Sequence, residues 1–507
     1  MSPDVSLDSS SSQEKKRSID EQNVYITKVN DDLFEEGSVD PVYQAKARLL
    51  NAAIQEIGMG KYQWYLFIVA GFGWFADSVW PLLSGLILSP VINEFNFQGP
   101  FLSLAINVGL FVGAVFWGLG CDIWGRRWSF NITLLIAGIF GLASGGSNSF
   151  ITLASLLAVL GVGVGGNLPV DSAVFLDFVP GSHQYLLTVL SIWWSLGTTP
   201  GTCARSDNMG WRYLLFTLGG ITIVLWGFRF FAFKLEESPR YLAGLGHDEE
   251  AVAVVQRIAA YNGRTCSLTV EDLRQAGQIA AEKTGLQEKP KKHTIMSSSS
   301  SYSIDHVKAL FKTRRMAWST SVLIAIWGII GLASTLYNNF LPFLLASRGA
   351  KFGDSSYYIT YRNQVILGVI GVPGAFLAGW AVEQPVIGRR GTLAISSGLT
   401  GAFLFATTTA RNSNALLGWN CGYTFFSNIM YGVLYAISPE VFPAKDRGTG
   451  NGLTATATRL FGILAPIIAL FANLETAVPV YVSGALIIGS GCLALLLPYE
   501  PRGKATI

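Results

Sequence analysis

The chain has 507 residues, with 36 Lys and Arg against 33 Asp and Glu, and its net charge of +3 is too small to point to a nucleic-acid partner. Half of the residues are hydrophobic, 14% are charged and the mean hydropathy is +0.40, a balance that excludes an ordinary soluble protein. The five cysteines (Cys121, Cys203, Cys266, Cys421, Cys492) have neither metal-ligand nor paired spacing, and the sequence calls for no metal and no cofactor. It offers no nucleophile–base set and no phosphate-binding Gly-Lys-Ser/Thr loop, so it reads as neither an enzyme nor an ATP-driven pump.

Residues 1–60 form a polar N-terminal tail with a Ser run at 9–12 and a basic triplet, Lys15-Lys16-Arg17. It is expected to be disordered, with a short helix over 44–57 leading into the first apolar run. Apolar runs able to cross ~30 Å of hydrocarbon then fall at 64–90, 101–120, 130–147, 151–179 and 213–233, within a first bundle spanning 61–233. Between 180 and 211 one more crossing is needed. Its apolar part, 185–196, is short, and Thr198-Thr199-Pro200-Gly201 interrupts it, so this fifth span reads as shortened.

Residues 234–316 are a soluble connection, with helical spacing over 248–261 and 270–281 and a Ser-rich linker at 297–301. A second bundle over 317–498 holds runs at 317–345, 364–382, 393–410, 415–442, 450–471 and 478–497, and 499–507 is a short tail. With twelve spans, Arg126-Arg127, Lys234, Arg240, Arg389-Arg390, Lys445, Arg447, Arg502 and Lys504 all fall on one face. That face is expected to be cytoplasmic, with both termini inside. The fold class is therefore an all-α membrane protein of about twelve transmembrane helices in two six-helix bundles.

The halves echo each other. Arg126 maps to Arg389 (389 − 126 = 263), Gly125 to Gly388, Asp177 to Glu440 and Glu237 to Glu500 at the same offset, while Asp122 maps to Glu383 (383 − 122 = 261). Gly118-Leu119-Gly120-Cys121-Asp122-Ile123-Trp124-Gly125-Arg126-Arg127 and its echo at 379–390 resemble the signature loop of the major facilitator superfamily. Glu237-Ser238-Pro239-Arg240-Tyr241, and Pro439-Glu440-Val441-Phe442-Pro443 followed by Arg447-Gly448-Thr449-Gly450, resemble its sugar-porter group. Gly166-Asn167-Leu168-Pro169-Val170-Asp171 is more similar to the synaptic-vesicle-glycoprotein, nicotinate and organic-ion branch, of fungal type here. The resemblance covers 64–504. That branch usually has some tens of residues more around the fifth span, which points to a deletion in this chain or a mis-spliced gene model.

Two repeated loops carrying adjacent arginines are expected to act as a conformational latch. Asp122 is expected to cap helix N-termini in its own bundle, and Arg126, Arg127, Arg389 and Arg390 to pair with acids such as Asp177, Glu237, Glu383 and Glu440, with Arg240 and Arg447 nearby and Gly118, Gly125 and Gly388 shaping the turns. The alternative is simple positive-inside anchoring of two turns. Charges inside spans are the other candidates, because each costs at least ~2.5–3.5 kcal/mol at a helix centre. Asp77 and Asp171 are read as proton-coupling acids, or else as structural ion-pair partners. Arg459 offers a planar fork for a carboxylate, with an internal pair to Asp77 or Asp171 as the alternative. Arg229 is expected to snorkel to the surface.

Tyr337, Asn338, Asn339 and Trp194 are the favoured cavity residues, with Trp193, Trp327, Tyr423, Asn428 and Tyr431 behind them. The resemblance implies a multi-pass, monomeric plasma-membrane carrier of a small polar solute, coupled to protons. Arg459 tilts the reading towards an organic anion such as a nicotinate-like carboxylate. A sugar or polyol porter is the alternative, and a transport-inactive sensor is the alternative of another class.

Overall fold

The computed structural model describes residues 40–180, 209–284, 304–338, 357–385, 387–443, 446–471 and 477–498. The expected fifth span, Trp193, Trp194, Asn339, Lys445, Arg502, Lys504 and the tail 499–507 lie outside them.

The first helix, α1 (Pro41–Ile57), starts where Asp40 accepts a hydrogen bond from the Val42 amide and Pro41 occupies the first turn, and it stops at Gly58. Sequence reading placed it in the tail as a lead-in. It is instead a packed element, burying Ala47, Leu50, Ile54 and Ile57. The first hydrophobic run divides at Ile87 into α2 (Lys61–Leu86) and the short α3 (Leu88–Phe95). Then come α4 (Pro100–Trp124), α5 (Arg126–Ser144), α6 (Phe150–Phe178) and α7 (Gly210–Gly227), which runs on into a π-helical turn over Phe228–Ala232.

The connection holds α8 (Pro239–Leu245), α9 (Asp248–Tyr261), α10 (Val270–Thr284) and α11 (Ile304–Ala309), so both helical stretches expected there are present. The second bundle is built from α12 (Arg314–Asn338), α13 (Tyr357–Ala381), α14 (Gly388–Thr407), α15 (Ser413–Val441), α16 (Arg447–Phe471) and α17 (Val478–Ala494). Among the described residues eight helices are long and apolar enough to cross a membrane, and α17 is a shorter apolar one. Large side chains such as Val369, Trp380 and Phe231 stay more than half exposed on the bundle exterior, as contact with lipid requires.

The repeat is physical as well as textual. The two 29-residue helices α6 and α15 begin at caps Ser149 and Asn412, whose side chains accept from Thr152 and Ala415 amides (412 − 149 = 263). Gly125 and Gly388 both adopt positive φ, 95° and 59°, where a side chain would be strained. Each breaks the chain sharply between two spans. In the first bundle α6 packs on α2, α4 and α5, and α5 on α7. In the second, α14 packs on α15 and α17, and α12 on α16 and α17. The principal contact between bundles is α4 against α16. On the face carrying the repeated loops, α1 lies against α8, α9 and α10, and a buried Lys46–Asp248 pair (2.7 Å) fastens it there.

Candidate functional site

The bundles meet most closely at the loop face. A side-chain carbon on Gly118 of α4 would overlap the Cα of Gly452 on α16, so only glycine permits that approach. Asp122 crosses the same seam: its Oδ2 accepts from the Thr449 amide at 2.7 Å and from the Thr449 hydroxyl at 3.1 Å. Beyond the expected partners in its own bundle, where Arg126 at the start of α5 lies 3.4 Å from Oδ1, Asp122 thus caps a helix of the other bundle. The helix N-terminus it reaches is that of α16, brought near by the glycine contact rather than by sequence proximity.

Around this contact the charges form a network. Asp177 takes Arg126 from its own bundle and Arg447 from the other, the latter at 3.2 Å. All three side chains are buried. Arg447 also donates Nε to Pro439 O, Arg240 donates to Leu176 O, and Glu237 accepts from the amides of Arg126 and Arg127 at the start of α5. In the second half Arg389 meets Glu440 at 2.5 and 2.9 Å and Glu383 at 3.5 Å, while Arg390 donates to Leu495 O. Tyr43 of α1 sits against this network; burial pushes its phenol up, partly offset by Arg240, Arg126 and Arg447.

Towards the opposite face the bundles part around a cavity of about 250 Å³. Asp77 of α2 and Arg459 of α16 line it and pair across the seam, Arg459 Nη2 to Asp77 Oδ1 at 2.5 Å, with side chains 3% and 16% exposed respectively. Asn338, Tyr423, Asn428 and Tyr431 line it too, and the Tyr423 hydroxyl donates to Asn338 Oδ1 at 2.9 Å. Tyr337 is withdrawn from the cavity, donating to Asn420 at 2.6 Å behind the Tyr423 ring. The cavity floor is Tyr435, held between Trp74 (ring centroids 4.8 Å apart) and Trp327 (4.6 Å), while Trp327 donates to Ser438.

Asp171 does not face this cavity. It is fully buried inside the first bundle and pairs with Arg229, whose guanidinium lies over the Phe130 ring. Arg229 therefore does not snorkel, contrary to expectation. It falls in the π turn ending the α7 span, and an acid one helix away outweighs the route to the surface.

Nothing in the sequence singles out Tyr435 or Gly452, and Thr449 shows there only as part of a motif, without its role. Their roles come from contacts across the seam, and aromatic and small residues are too common in spans to mark any one of them.

Two helical bundles around a central, charge-lined cavity define a membrane transport protein. The chain belongs to the major facilitator superfamily, whose profile, "Major Facilitator Superfamily", matches residues 64–466. Its members are transporters, not enzymes. The chain is 71% identical to "MFS siderochrome iron transporter 1" of Ceriporiopsis subvermispora over 94% of each chain. A more distant relative is "Niacin transporter NiaP" of Acinetobacter baylyi, 26% identical over 83% of this chain and 89% of the relative. Among solved structures, the proton:xylose symporter XylE bound to 6-bromo-6-deoxy-D-glucose superposes with a TM-score of 0.68 at 17% identity, covering 88% of this chain and 98% of that one. At that identity the likeness speaks for the fold alone.

Proposed function

We propose that this carrier moves a small organic anion, a nicotinate-like carboxylate, with a proton, by rocking its two bundles about the central cavity. The observation behind this reading is the Asp77–Arg459 pair. It joins the two bundles at the wall of the cavity, so a substrate carboxylate and Asp77 compete for one guanidinium. Protonating Asp77 removes the competitor and frees Arg459. Proton and anion then enter together, because either alone leaves a charge unpaired in a buried site. Asp171, paired with Arg229 inside the first bundle and away from the cavity, is the second acid assigned to proton coupling. The cavity, at about 250 Å³, lies just under the range of about 300–1,000 Å³ usual for drug-sized ligands, which favours a small cargo.

On this reading the carrier is a plasma-membrane monomer with 61–233 and 317–498 as its moving bodies, and the positive loops favour a cytoplasmic side for 234–316 and both tails, 1–60 and 499–507.

Uptake of labelled nicotinate by cells expressing the full chain is the test. Uptake should rise as external pH falls. Arg459→Gln should lower kcat/KM by about 10–150-fold, the size of a lost charge-assisted hydrogen bond of about 1.5–3 kcal/mol. Asp77→Asn should leave anion uptake that no longer responds to pH. Unimpaired uptake by Arg459→Gln sinks the carboxylate reading.

The name of the 71% identical relative supports a second reading, a siderochrome iron cargo. Iron-loaded siderochrome belongs in the same uptake panel, and transport of it without carboxylate transport would replace the first reading.

A further inference from the structure

Between the cavity floor and the Asp122–Thr449 clamp lies a second pocket of about 30 Å³. As shaped here it has room for one or two water molecules. Ser172 of α6 forms one side of it and Asn451, Thr454 and Arg459 of α16 the other, with Ser438 below Tyr435.

Most hydroxyls on this wall are committed. Ser438 donates to Leu434 O and accepts from Trp327, and Thr454 donates to Asn451 O. Two polar side chains are not committed. Neither side-chain atom of Asn451 has a hydrogen-bond partner, and Ser172 Oγ has none either, although these residues are only 5% and 3% exposed. Buried polar groups are almost always paired, so two on the lining of one pocket call for a partner there, an ordered water or a polar ligand atom that displaces it. The pocket thus offers one unused donor from each bundle, Ser172 Oγ–H and Asn451 Nδ2–H, with the Arg459 guanidinium on its wall. That is the donor set of an oxyanion site. Arg459 also lines the outer cavity, so a single cation serves both chambers.

We propose that this pocket is an inner anion station. When the bundles part on the loop face and the Tyr435 floor yields, the carboxylate end of the solute passes from the outer side of Arg459 to the inner side, where Ser172 and Asn451 hold it before release. The identity of the cargo rests on the carboxylate reading above; the preference of the pocket for negative charge does not, and it is tested without cargo.

The first experiment places Asn451→Cys in the full chain after its five native cysteines are replaced by serine, in inside-out vesicles. The reagents are a sulfonate-bearing and a trimethylammonium-bearing methanethiosulfonate. After correction for intrinsic reactivity, the anionic reagent should label at least about fivefold faster, and Arg459→Gln in the same background should erase the difference. Equal rates, a preference for the cation, or no labelling by either reagent overturns the proposal. Ser172→Cys gives the same readout if the Asn451 variant does not fold.

The second experiment uses labelled nicotinate. Asn451→Leu combined with Ser172→Ala should keep equilibrium binding within about threefold while uptake falls at least about tenfold, and Asn451→Gln should restore uptake. A parallel fall in binding and uptake, or no fall in uptake, overturns the inner station. A wild-type protein that binds no carboxylate overturns the cargo reading instead, and the labelling result then decides the station alone.

Discussion

Gly118→Val probes the closed seam directly. At the contact of α4 with α16 a single added carbon on Gly118 already overlaps the Cα of Gly452, with backbone and not a flexible side chain in the way. Valine brings three carbons to a point where none fits, so the seam must open by the better part of a side-chain layer. Overpacking of a tight contact costs about 1–3 kcal/mol. Because the strain exists only while the bundles touch here, most of it shifts the conformational equilibrium instead of unfolding the protein. A bias of that size is about 5–150-fold in favour of the state open on the loop face. The shift should also weaken the Asp122–Thr449 bonds, which depend on the same approach.

Spin labels on the loop-face ends of α5 and α14 would report the opening as a longer distance population, read alongside thermal unfolding in detergent. The reasoning predicts a large gain in that population, a drop in uptake and a melting temperature within a few degrees of wild type. A distance distribution identical to wild type refutes it, as does a protein that simply unfolds while Gly118→Ala shows no shift.

Asp177→Asn leaves two buried guanidiniums, Arg126 and Arg447, without their shared carboxylate, and a loss of about 3–5 kcal/mol should appear as a clear fall in melting temperature, with an unchanged value counting against the network. Arg229→Met strands Asp171 and should destabilise to a similar degree, whereas Arg229→Met with Asp171→Leu should recover most of it by replacing the pair with apolar volume. If the double variant is stable yet no longer couples uptake to pH, the pair serves transport; if it transports normally, the pair is structural. Lys46→Met should cost about 1–3 kcal/mol, less than a full buried pair because Asp248 also opens α9 and keeps its favourable place at a helix N-terminus, and faster proteolysis between α1 and α2 would register it.

What the sequence discloses is local or repeated. Spans follow from hydropathy, and the paired loops from an offset that chance does not supply. The same offset finds Gly125 with Gly388 and Asp177 with Glu440, each pair now seen in equivalent conformations or contacts. Cross-bundle partners are another matter. Asp122 and Thr449 stand 327 positions apart, and nothing in either neighbourhood names the other. Arg229 lies close enough to the span end to snorkel, and the need of buried Asp171 for a cation is what keeps it inside. Only the π turn and the packing of α6 bring the two together. The helix α1 was half visible: its Asp40-Pro41 start is plain, but its apolar face has meaning only once α8 to α10 exist to cover it.

The seam residues of the second half have no like counterparts in the sequence of the first. At the repeat offset, Arg447, Thr449 and Gly452 correspond to Gln184, Leu186 and Val189 (447 − 184 = 263). The first half therefore lacks the cation, the hydroxyl and the small residue from which the second half builds its side of the seam. In agreement, Glu440 takes its cation, Arg389, from its own bundle, whereas the equivalent Asp177 reaches across to Arg447 as well. Among the described residues, the first loop fastens the bundles to each other through Asp122, and its twin holds Arg389 to Glu440 within the second bundle. A carrier that rocks as two rigid bodies needs both kinds of contact: internal pairs that hold each body together through the stroke, and one set of cross-bundle bonds that can be broken and remade. The cross-bundle bonds of Arg447 and Thr449 lie on α16, the same helix that carries Arg459 about two turns beyond Asn451. Release of the solute and release of the clamp then act on one rigid rod, which gives ligand state at the cavity a direct mechanical route to the gate.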